Sequence, residues 1–170
     1  TGQPVIPVYI HSPEEEAPWS PGAASRWWLH HSLVAFSRAL EAAGSRLILR
    51  RGASLETLLR LVDETGAGQV LWNRVYEPAL IERDRRIKAA LKDRGLVAES
   101  FNNALLFEPW TVSNKSGEPY RVFTPFWKAC CATGLPDDVE TTPQSITAPT
   151  CWPDGDHLEF FDLLPRIPWD

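Results

Sequence analysis

Residues 46–73, RLILRRGASLETLLRLVDETGAGQVLWN, read as a strand, a helix and a second strand. The runs Arg46–Arg50 and Gln69–Asn73 are short and apolar, which is typical of buried strands. Ser54 is the predicted N-cap of the helix between them. The apolar residues of that helix recur at helical spacing and are Leu55, Leu58, Leu59 and Val62. Two strands separated by one helix predict a βαβ unit with parallel strands.

The same alternation continues upstream. Val5–Ile10 predicts a further strand, and Ser25–Ala43 predicts a helix with Ser25 as its N-cap and Gly44 just after its end. The apolar stripe predicted for this helix consists of Leu29, Leu33, Phe36, Leu40 and Ala43.

Downstream, Pro78 fits the first turn of a third helix, where its missing N–H costs nothing. Acidic residues precede basic ones at i,i+4 in this helix, in the pairs Glu82–Arg86 and Asp84–Lys88. Gly95 ends the helix, Leu96–Phe101 predicts a fourth strand, and a short helix is predicted near Phe126–Ala132. The fold class is therefore α/β, a Rossmann-like doubly wound parallel sheet with helices on both faces.

The alternation defines a predicted α/β domain over residues 1–133, and residues 134–170 read as a linker. Residues 134–156 are rich in Pro, Thr, Asp and Ser, as extended linkers are. The closing stretch is apolar, and a free tail would not normally be so. The side chains expected to pack are Leu163, Leu164, Ile167 and Trp169.

The net charge and the composition limit the functional classes to which this chain can belong. The net charge is −5 and the pI about 5.4, whereas nucleic-acid surfaces carry a basic excess, so we expect this chain itself to bind DNA weakly. No apolar run approaches the ~18 residues of a membrane helix and no leader pattern opens the chain, which favours a cytoplasmic protein without a membrane partner. The sequence lacks Met, as expected of a fragment. The cysteines, predicted to be reduced and buried, are Cys130, Cys131 and Cys151.

No phosphate-binding, nucleotide-binding or hydrolase motif is present, and no histidine has metal-ligand spacing. In a doubly wound sheet, ligands lie beyond the carboxyl ends of the strands. The candidate ligand residues there are His11, Ser12, Arg26, Asn73, Tyr76 and Glu77. Each also has a purely structural interpretation, as a loop hydrogen bond, a helix terminus or a packing residue.

Five segments resemble the antenna domain of photolyases and cryptochromes, and together they span nearly the whole chain. The most specific are the Tyr-Glu-Pro of residues 76–78 leading to Glu-Arg-Asp at 82–84, and the Val-Phe-Thr-Pro-Phe of residues 122–126. These motifs lie within the segments Trp72–Pro78 and Tyr120–Lys128, and the other matching segments are Pro7–Ile10, Trp28–Leu33 and Leu163–Pro165.

The resemblance implies that the parent protein is a deoxyribodipyrimidine photolyase, a carbon–carbon lyase that repairs pyrimidine dimers by light-driven electron transfer from reduced FAD. It places FAD and damaged DNA on a helical domain that follows the linker, so no residue of this chain is expected to be catalytic. A cryptochrome, a light-signalling protein of the same architecture, is the first alternative. A small nucleotide-binding domain of the electron-transfer-flavoprotein or universal-stress type is the second, and its Gly-rich phosphate loop is not found.

The family's second chromophore, a folate or a deazaflavin, would lie against this domain, which makes the six candidate residues a candidate antenna pocket. Folate-type members often carry Asn-Glu just after the Tyr-Glu pair, where this chain has Ala79 and Leu80. Deazaflavin-type members tend to carry an acid shortly before the Glu-Pro, where this chain has Val75. Both antennas are therefore poorly supported by the sequence.

The family's sheet has the strand order 3-2-1-4-5, and the first, central strand is missing from this chain. Its neighbours would be Val5–Ile10 and Gln69–Asn73. Unpaired backbone groups are costly, so either the gap is filled or these two strands pair directly. We expect the gap to be filled by a strand from outside this chain.

Overall fold

The computed structural model describes residues 2–16, 20–134 and 141–167. The strands are β1 (Val8–His11), β2 (Ile48–Arg51), β3 (Gln69–Asn73) and β4 (Val97–Phe101). The helices are α1 (Ala23–Ala42), α2 (Ser54–Thr65), α3 (Pro78–Asp93) and α4 (Phe123–Thr133). Short 3₁₀ helices cover Pro13–Glu16 and Leu158–Phe161. The predicted α/β alternation is confirmed from β1 to β4.

Two strand boundaries differ from the prediction. β1 begins at Val8 rather than Val5, because Pro7 has no N–H to donate to a ladder, although its carbonyl accepts from the Ile48 N–H at 2.8 Å. β2 covers Ile48–Arg51 rather than Arg46–Arg50. β1 extends one residue beyond its predicted end at Ile10, so His11 is the last residue of this strand.

The sheet consists of two separate pairs of strands. β1 runs parallel to β2, with Val8 opposite Ile48 and His11 opposite Arg51. β3 pairs with β4, and among the described residues β1 and β3 are not hydrogen-bonded to each other. The alternative in which the sheet closes over the missing strand is therefore wrong. Filling of the gap from outside this chain stays a prediction.

Helix ends depart from the predicted caps. The residue before α1 is Gly22, in extended conformation, so Ser25 lies inside the first turn and is not the cap. The residue before α2 is Ala53, and Ser54 is the first helical residue. Gly44 and Gly95 follow α1 and α3 with φ of 79° and 77°, the left-handed conformation that glycine adopts at low cost.

The buried faces were predicted well for α1 and poorly for α2. Leu33 and Leu40 of α1 are buried, while Phe36 is 50% exposed. In α2 the buried line is Ser54, Thr57 and Leu61. The four residues predicted for that stripe are only half-buried. A count of apolar residues could not find this line, because two of its three members are polar.

The charge pair that Glu82 forms on α3 has a different spacing from the predicted pair with Arg86. Glu82 pairs with Arg85, at i,i+3 and 2.6 Å, and Arg86 donates its Nε–H to the backbone oxygen of Glu82. Arg83 pairs with its neighbour Asp84 at 2.8 Å. Pairs three and four residues apart both face each other on a helix and are worth a few tenths of a kcal/mol.

The chain divides into two compact units. Unit 1 comprises Thr1–Val70, Tyr76–Glu99 and Pro143–Asp170, and unit 2 comprises Leu71–Val75 and Ser100–Thr142. The core cluster of unit 1 is formed by Leu33, Phe161 and Leu163. In unit 2, Val112 and Cys130 are buried. The predicted domain boundary at residue 134 stays a prediction.

Residues 141–157 form no helix or strand, as expected of an extended segment, yet residues 146–156 are hydrogen-bonded to other parts of unit 1. The Val5 N–H donates to Thr147 O, the Ile146 N–H to Ala43 O, and the Asp156 N–H to Leu49 O, at 2.8–3.0 Å. We call residues 155–163 the clasp, because they return to the outer edge of β2.

The predicted docking of the tail holds for part of it. Leu163 is 3% exposed and belongs to the core cluster. The prediction is wrong for Leu164 and Ile167, which are 45% and 77% exposed, because they follow the last residue that reaches the core. Trp169 lies outside the described residues.

The three cysteines differ in their exposure to solvent. Cys130 is a buried free thiol as predicted, but Cys131 and Cys151 are exposed, so the prediction is wrong for them. Within the described ranges, no group of His, Cys, Asp and Glu side chains is placed to hold a metal ion. None of the described helices is both long and apolar enough to cross a membrane.

Candidate functional site

The carboxyl end of β1 places an imidazole inside unit 1. His11 is only 7% exposed, and its ring stacks on that of Phe161 with centroids 4.8 Å apart and planes 27° apart. Tyr9, two residues earlier on the same face of the strand, lies 6.2 Å from Phe161. His11 Nδ1 has no hydrogen-bond partner among the described residues.

Burial also governs the electrostatics of this strand. Removal from water lowers the pKa of His11 below its ordinary value, and the neighbouring Arg51 lowers it further, while Glu14 acts in the opposite direction. Burial, with help from the Glu16 carboxylate, raises the pKa of Tyr9 to about 12. At neutral pH both side chains are therefore uncharged.

The loop after β1 is tied to the start of α2. The hydroxyls of Ser12 and Ser54 lie 3.0 Å apart and are buried. Ser54 donates its hydroxyl to Glu15 Oε2 at 2.5 Å and its backbone N–H to Glu15 Oε1 at 3.2 Å. Ala53 offers no side-chain cap, so the Glu15 carboxylate does this from another part of the chain.

Replacing Glu15 with alanine should destabilise the chain by ~1–2 kcal/mol, because it removes the cap of α2 and leaves the Ser54 hydroxyl without its acceptor. The free energy of unfolding in urea measures the effect. Glu14→Ala is the matched control, since Glu14 is exposed on the same loop, and it should change stability by less than ~0.5 kcal/mol. Equal losses in both variants would show that the carboxylate of Glu15 is not a cap.

The remaining candidate residues are placed differently. Arg26 is exposed and donates from Nη1 to Pro21 O at 3.2 Å. Glu77 precedes α3, is exposed, and accepts the Tyr76 N–H at Oε2 at 3.2 Å. Asn73 ends β3 in unit 2 and is exposed.

Of the six candidates, the structure brings together His11 and Ser12, which are neighbours in sequence, and Tyr76 and Glu77, which are also neighbours. His11 and Ser12 are buried against the chain's own groups, and the side chains open to solvent are those of Arg26, Asn73 and Glu77. Their role as antenna ligands stays a prediction.

Sequence reasoning missed two arginines that organise these strand ends. Arg51, the last residue of β2, donates its backbone N–H to Asp156 Oδ2 at 2.8 Å and its Nη1–H to Phe160 O at 2.9 Å. The partners lie 105 and 109 residues away, so no local spacing could have revealed them.

The second missed arginine is Arg74, within unit 2. It donates to Ser100 O at 2.7 Å, forms an ion pair with Glu108, and lies over the Trp110 ring, 5.2 Å from its centroid. Arg74 stands inside the Trp72–Pro78 motif, which was a usable signal, although its neighbours Asn73 and Tyr76 were preferred. The guanidinium joins the end of β4 to the loop that follows it.

A shallow groove of ≈ 290 Å³ lies on unit 1, at the small end of the ~300–1,000 Å³ typical of ligand sites. It is lined by Leu33, Val34, Ser37, Arg38, Glu41, Leu47, Leu49 and Leu158. None of these residues was a sequence candidate.

Helices between successive strands, and polar side chains gathered just beyond β1 and β2, define a Rossmann-like α/β domain. The chain belongs to the DNA photolyase family, whose sequence profile matches residues 1–147. This match contradicts the alternative of an electron-transfer-flavoprotein or universal-stress domain.

Two proteins with similar sequences are a photolyase and a cryptochrome. The chain is 46% identical over 167 residues to a deoxyribodipyrimidine photo-lyase of Agrobacterium fabrum, covering 98% of this chain and 34% of that protein. It is 40% identical over 139 residues to cryptochrome-1 of Arabidopsis thaliana, covering 81% of this chain and 20% of that protein.

Among solved structures, a bacterial class III photolyase from Agrobacterium tumefaciens superposes with a TM-score of 0.89 at 46% identity. That match covers 98% of this chain and 34% of the photolyase. The chain thus spans about a third of the length of the photolyases it matches.

Proposed function

We propose that this chain is the N-terminal α/β domain of a light-driven deoxyribodipyrimidine photolyase, a carbon–carbon lyase that repairs pyrimidine dimers in DNA. The observation that carries the proposal is 46% identity across 98% of the chain to a photolyase, together with a TM-score of 0.89 to a class III photolyase. Likeness of this degree over almost every residue supports a common role. A DNA-repair role agrees with the cytoplasmic location expected from the sequence.

Within such an enzyme, this domain supports the catalytic part rather than performing the reaction. FAD, once bound, supplies the electron that splits the dimer, and we assign both FAD and damaged DNA to the two-thirds of the photolyase that this chain does not match. The net charge of −5 supports this division, because phosphate binding needs a basic surface. The buried hydroxyls and imidazole beyond β1 support it too, since they contact the chain's own groups.

An antenna chromophore bound to this domain has weaker support. A folate or a deazaflavin would need polar groups open to solvent, and Arg26, Asn73 and Glu77 are the candidates that meet this requirement. The residues typical of either antenna type are replaced by Val75, Ala79 and Leu80. We therefore propose structural support as the main role of the domain.

A cryptochrome is the second candidate function. The observation that favours it is 40% identity over 81% of the chain to a plant cryptochrome. The lower identity and shorter match place it behind the photolyase.

The test is a repair assay on the whole protein that contains this chain. We expect the purified protein to bind FAD and to remove pyrimidine dimers from ultraviolet-damaged DNA under blue light but not in darkness. Dimer content is measured by the recovery of absorbance near 260 nm. A protein that binds FAD yet leaves the dimers intact would favour the cryptochrome.

The 170-residue chain alone is the natural comparison in the same assay. We expect it to show no repair, to hold no stoichiometric FAD, and to bind duplex DNA weakly, because counterion release by an acidic chain is small. Repair by this chain alone, or nanomolar duplex binding at physiological salt, would contradict the division of roles proposed here.

A further inference from the structure

The clasp is held to the outer edge of β2 by an exchange of backbone and side-chain bonds. The Asp156 N–H donates to Leu49 O at 2.8 Å, and the Arg51 N–H donates to Asp156 Oδ2 at 2.8 Å. These bonds satisfy two peptide groups of β2 that face away from β1. Asp156 thus forms two hydrogen bonds to this edge of β2, where a neighbouring strand would otherwise bond.

A second set of contacts fixes the end of the clasp. Arg51 Nη1 donates to Phe160 O at 2.9 Å, and the side chains of Phe161 and Leu163 are each 3% exposed in the core cluster with Leu33. The clasp therefore supplies two of the three fully buried members of that cluster. Detachment of the clasp would therefore remove Phe161 and Leu163 from the core cluster.

His11 lies directly beneath the clasp, and its ring packs as a neutral aromatic group on Phe161. A proton on this imidazole would place a charge in a buried site, next to the Arg51 guanidinium of β2, with Nδ1 lacking an acceptor among the described residues. Glu14, from the 3₁₀ helix after β1, acts to raise the pKa of His11, and its side chain is exposed. The phenol of Tyr9 stays neutral throughout the relevant range.

We propose that the clasp is an acid-sensitive strap, released from β2 and from the core cluster when His11 takes up a proton. The same Arg51 that anchors Phe160 opposes the charged imidazole. Release takes Phe161 away from the His11 ring and exposes that ring to water, which lowers the cost of charging it. Opening frees residues 155–163 from β2 and from the core cluster.

The direction of the pH dependence follows from linkage. Burial lowers the pKa of His11 in the closed state below its ordinary value of 6.5, and exposure of the ring on opening raises the pKa toward that value. The open state then binds more protons than the closed state at acidic pH. The contribution of neutral His11 to closure is fully present above about pH 6.5 and is lost as the pH falls through the lowered pKa of the closed state.

Amide hydrogen exchange tests the strap on the chain itself. The protection factor of the Asp156 amide should fall between pH 7.5 and pH 5.5, by up to about tenfold, while that of Leu91, fully buried in α3, stays constant. In His11→Gln, which has no proton to gain, the Asp156 protection should not change with pH. His157→Gln is the matched control, because His157 is exposed within the clasp, and it should behave as the wild type.

An equal fall in His11→Gln, or a parallel fall for Leu91, would overturn the proposal. Direct titration of the His11 ring by nuclear magnetic resonance in the wild-type chain decides the matter without any variant. A midpoint below 6.5 that coincides with the loss of Asp156 protection supports the strap. A midpoint at or above 6.5 overturns it.

Discussion

Replacing Phe161 with alanine is expected to lower the free energy of unfolding of this chain by ~3–5 kcal/mol, the range for deleting a buried phenylalanine. Phe161 is 3% exposed, belongs to the core cluster with Leu33 and Leu163, and stacks on His11. The truncation removes this ring of the clasp from the core cluster and leaves a cavity against β1. Urea unfolding followed by circular dichroism measures the loss.

The preceding residue provides a matched control. Phe160 lies in the same 3₁₀ helix but is 63% exposed, and its contribution to the fold is its backbone carbonyl, which alanine retains. Phe160→Ala should therefore change the free energy of unfolding by less than ~0.5 kcal/mol. An equally small loss for Phe161→Ala would mean that the clasp is held by its backbone bonds and not by the core cluster.

The second large effect is expected in the amide exchange of β1. Pro7 O and His11 O accept from β2, so the peptide groups of Tyr9 face β2 and those of Val8 and Ile10 face the opposite, open edge. The Tyr9 amide should exchange ~10³–10⁴-fold more slowly than the Ile10 amide, which corresponds to opening only by unfolding in a domain of ~5 kcal/mol stability.

The same alternation applies to β3. Gly68 O and the Arg74 N–H bond to β4, so Val70 faces β4 whereas Leu71 faces the open edge. Val70 should be protected and Leu71 should not. If a strand from elsewhere in the whole protein fills the gap, as the sequence predicts, Ile10 and Leu71 become protected in that protein. Protection of Ile10 in this chain alone would contradict an open edge.

Local patterns predicted those elements whose limits are set by nearby residues. β3 was predicted with its observed bounds, and α3 begins at Pro78 as expected of a residue without an N–H. The start of β1 was misplaced because hydrophobicity alone extended the strand across Pro7. These successes and errors share one cause, since each limit depends on the chemistry of one or two neighbouring residues.

The candidate site was less accessible to sequence reasoning. His11 and Ser12 were identified from their position after a strand, but their burial depends on Phe161 and Ser54, which lie far along the chain. Glu15 was not among the sequence candidates, because Ser54 was taken as the cap of α2 and the need for another cap becomes visible only when Ala53 is known to precede the helix. Contacts between distant segments leave no periodicity in the sequence.

The clasp also has a consequence for synthesis on the ribosome. Arg51 contacts Asp156 and Phe160 across 105 and 109 residues, so the core of unit 1 lacks Phe161 and Leu163 until synthesis has passed residue 163. At ~5–20 residues per second, that interval lasts roughly 5–20 s. During this time the outer edge of β2 and the apolar face of α1 stand uncovered. Exposed apolar surface and an unpaired strand edge of this kind make a nascent chain prone to aggregation until the clasp is in place.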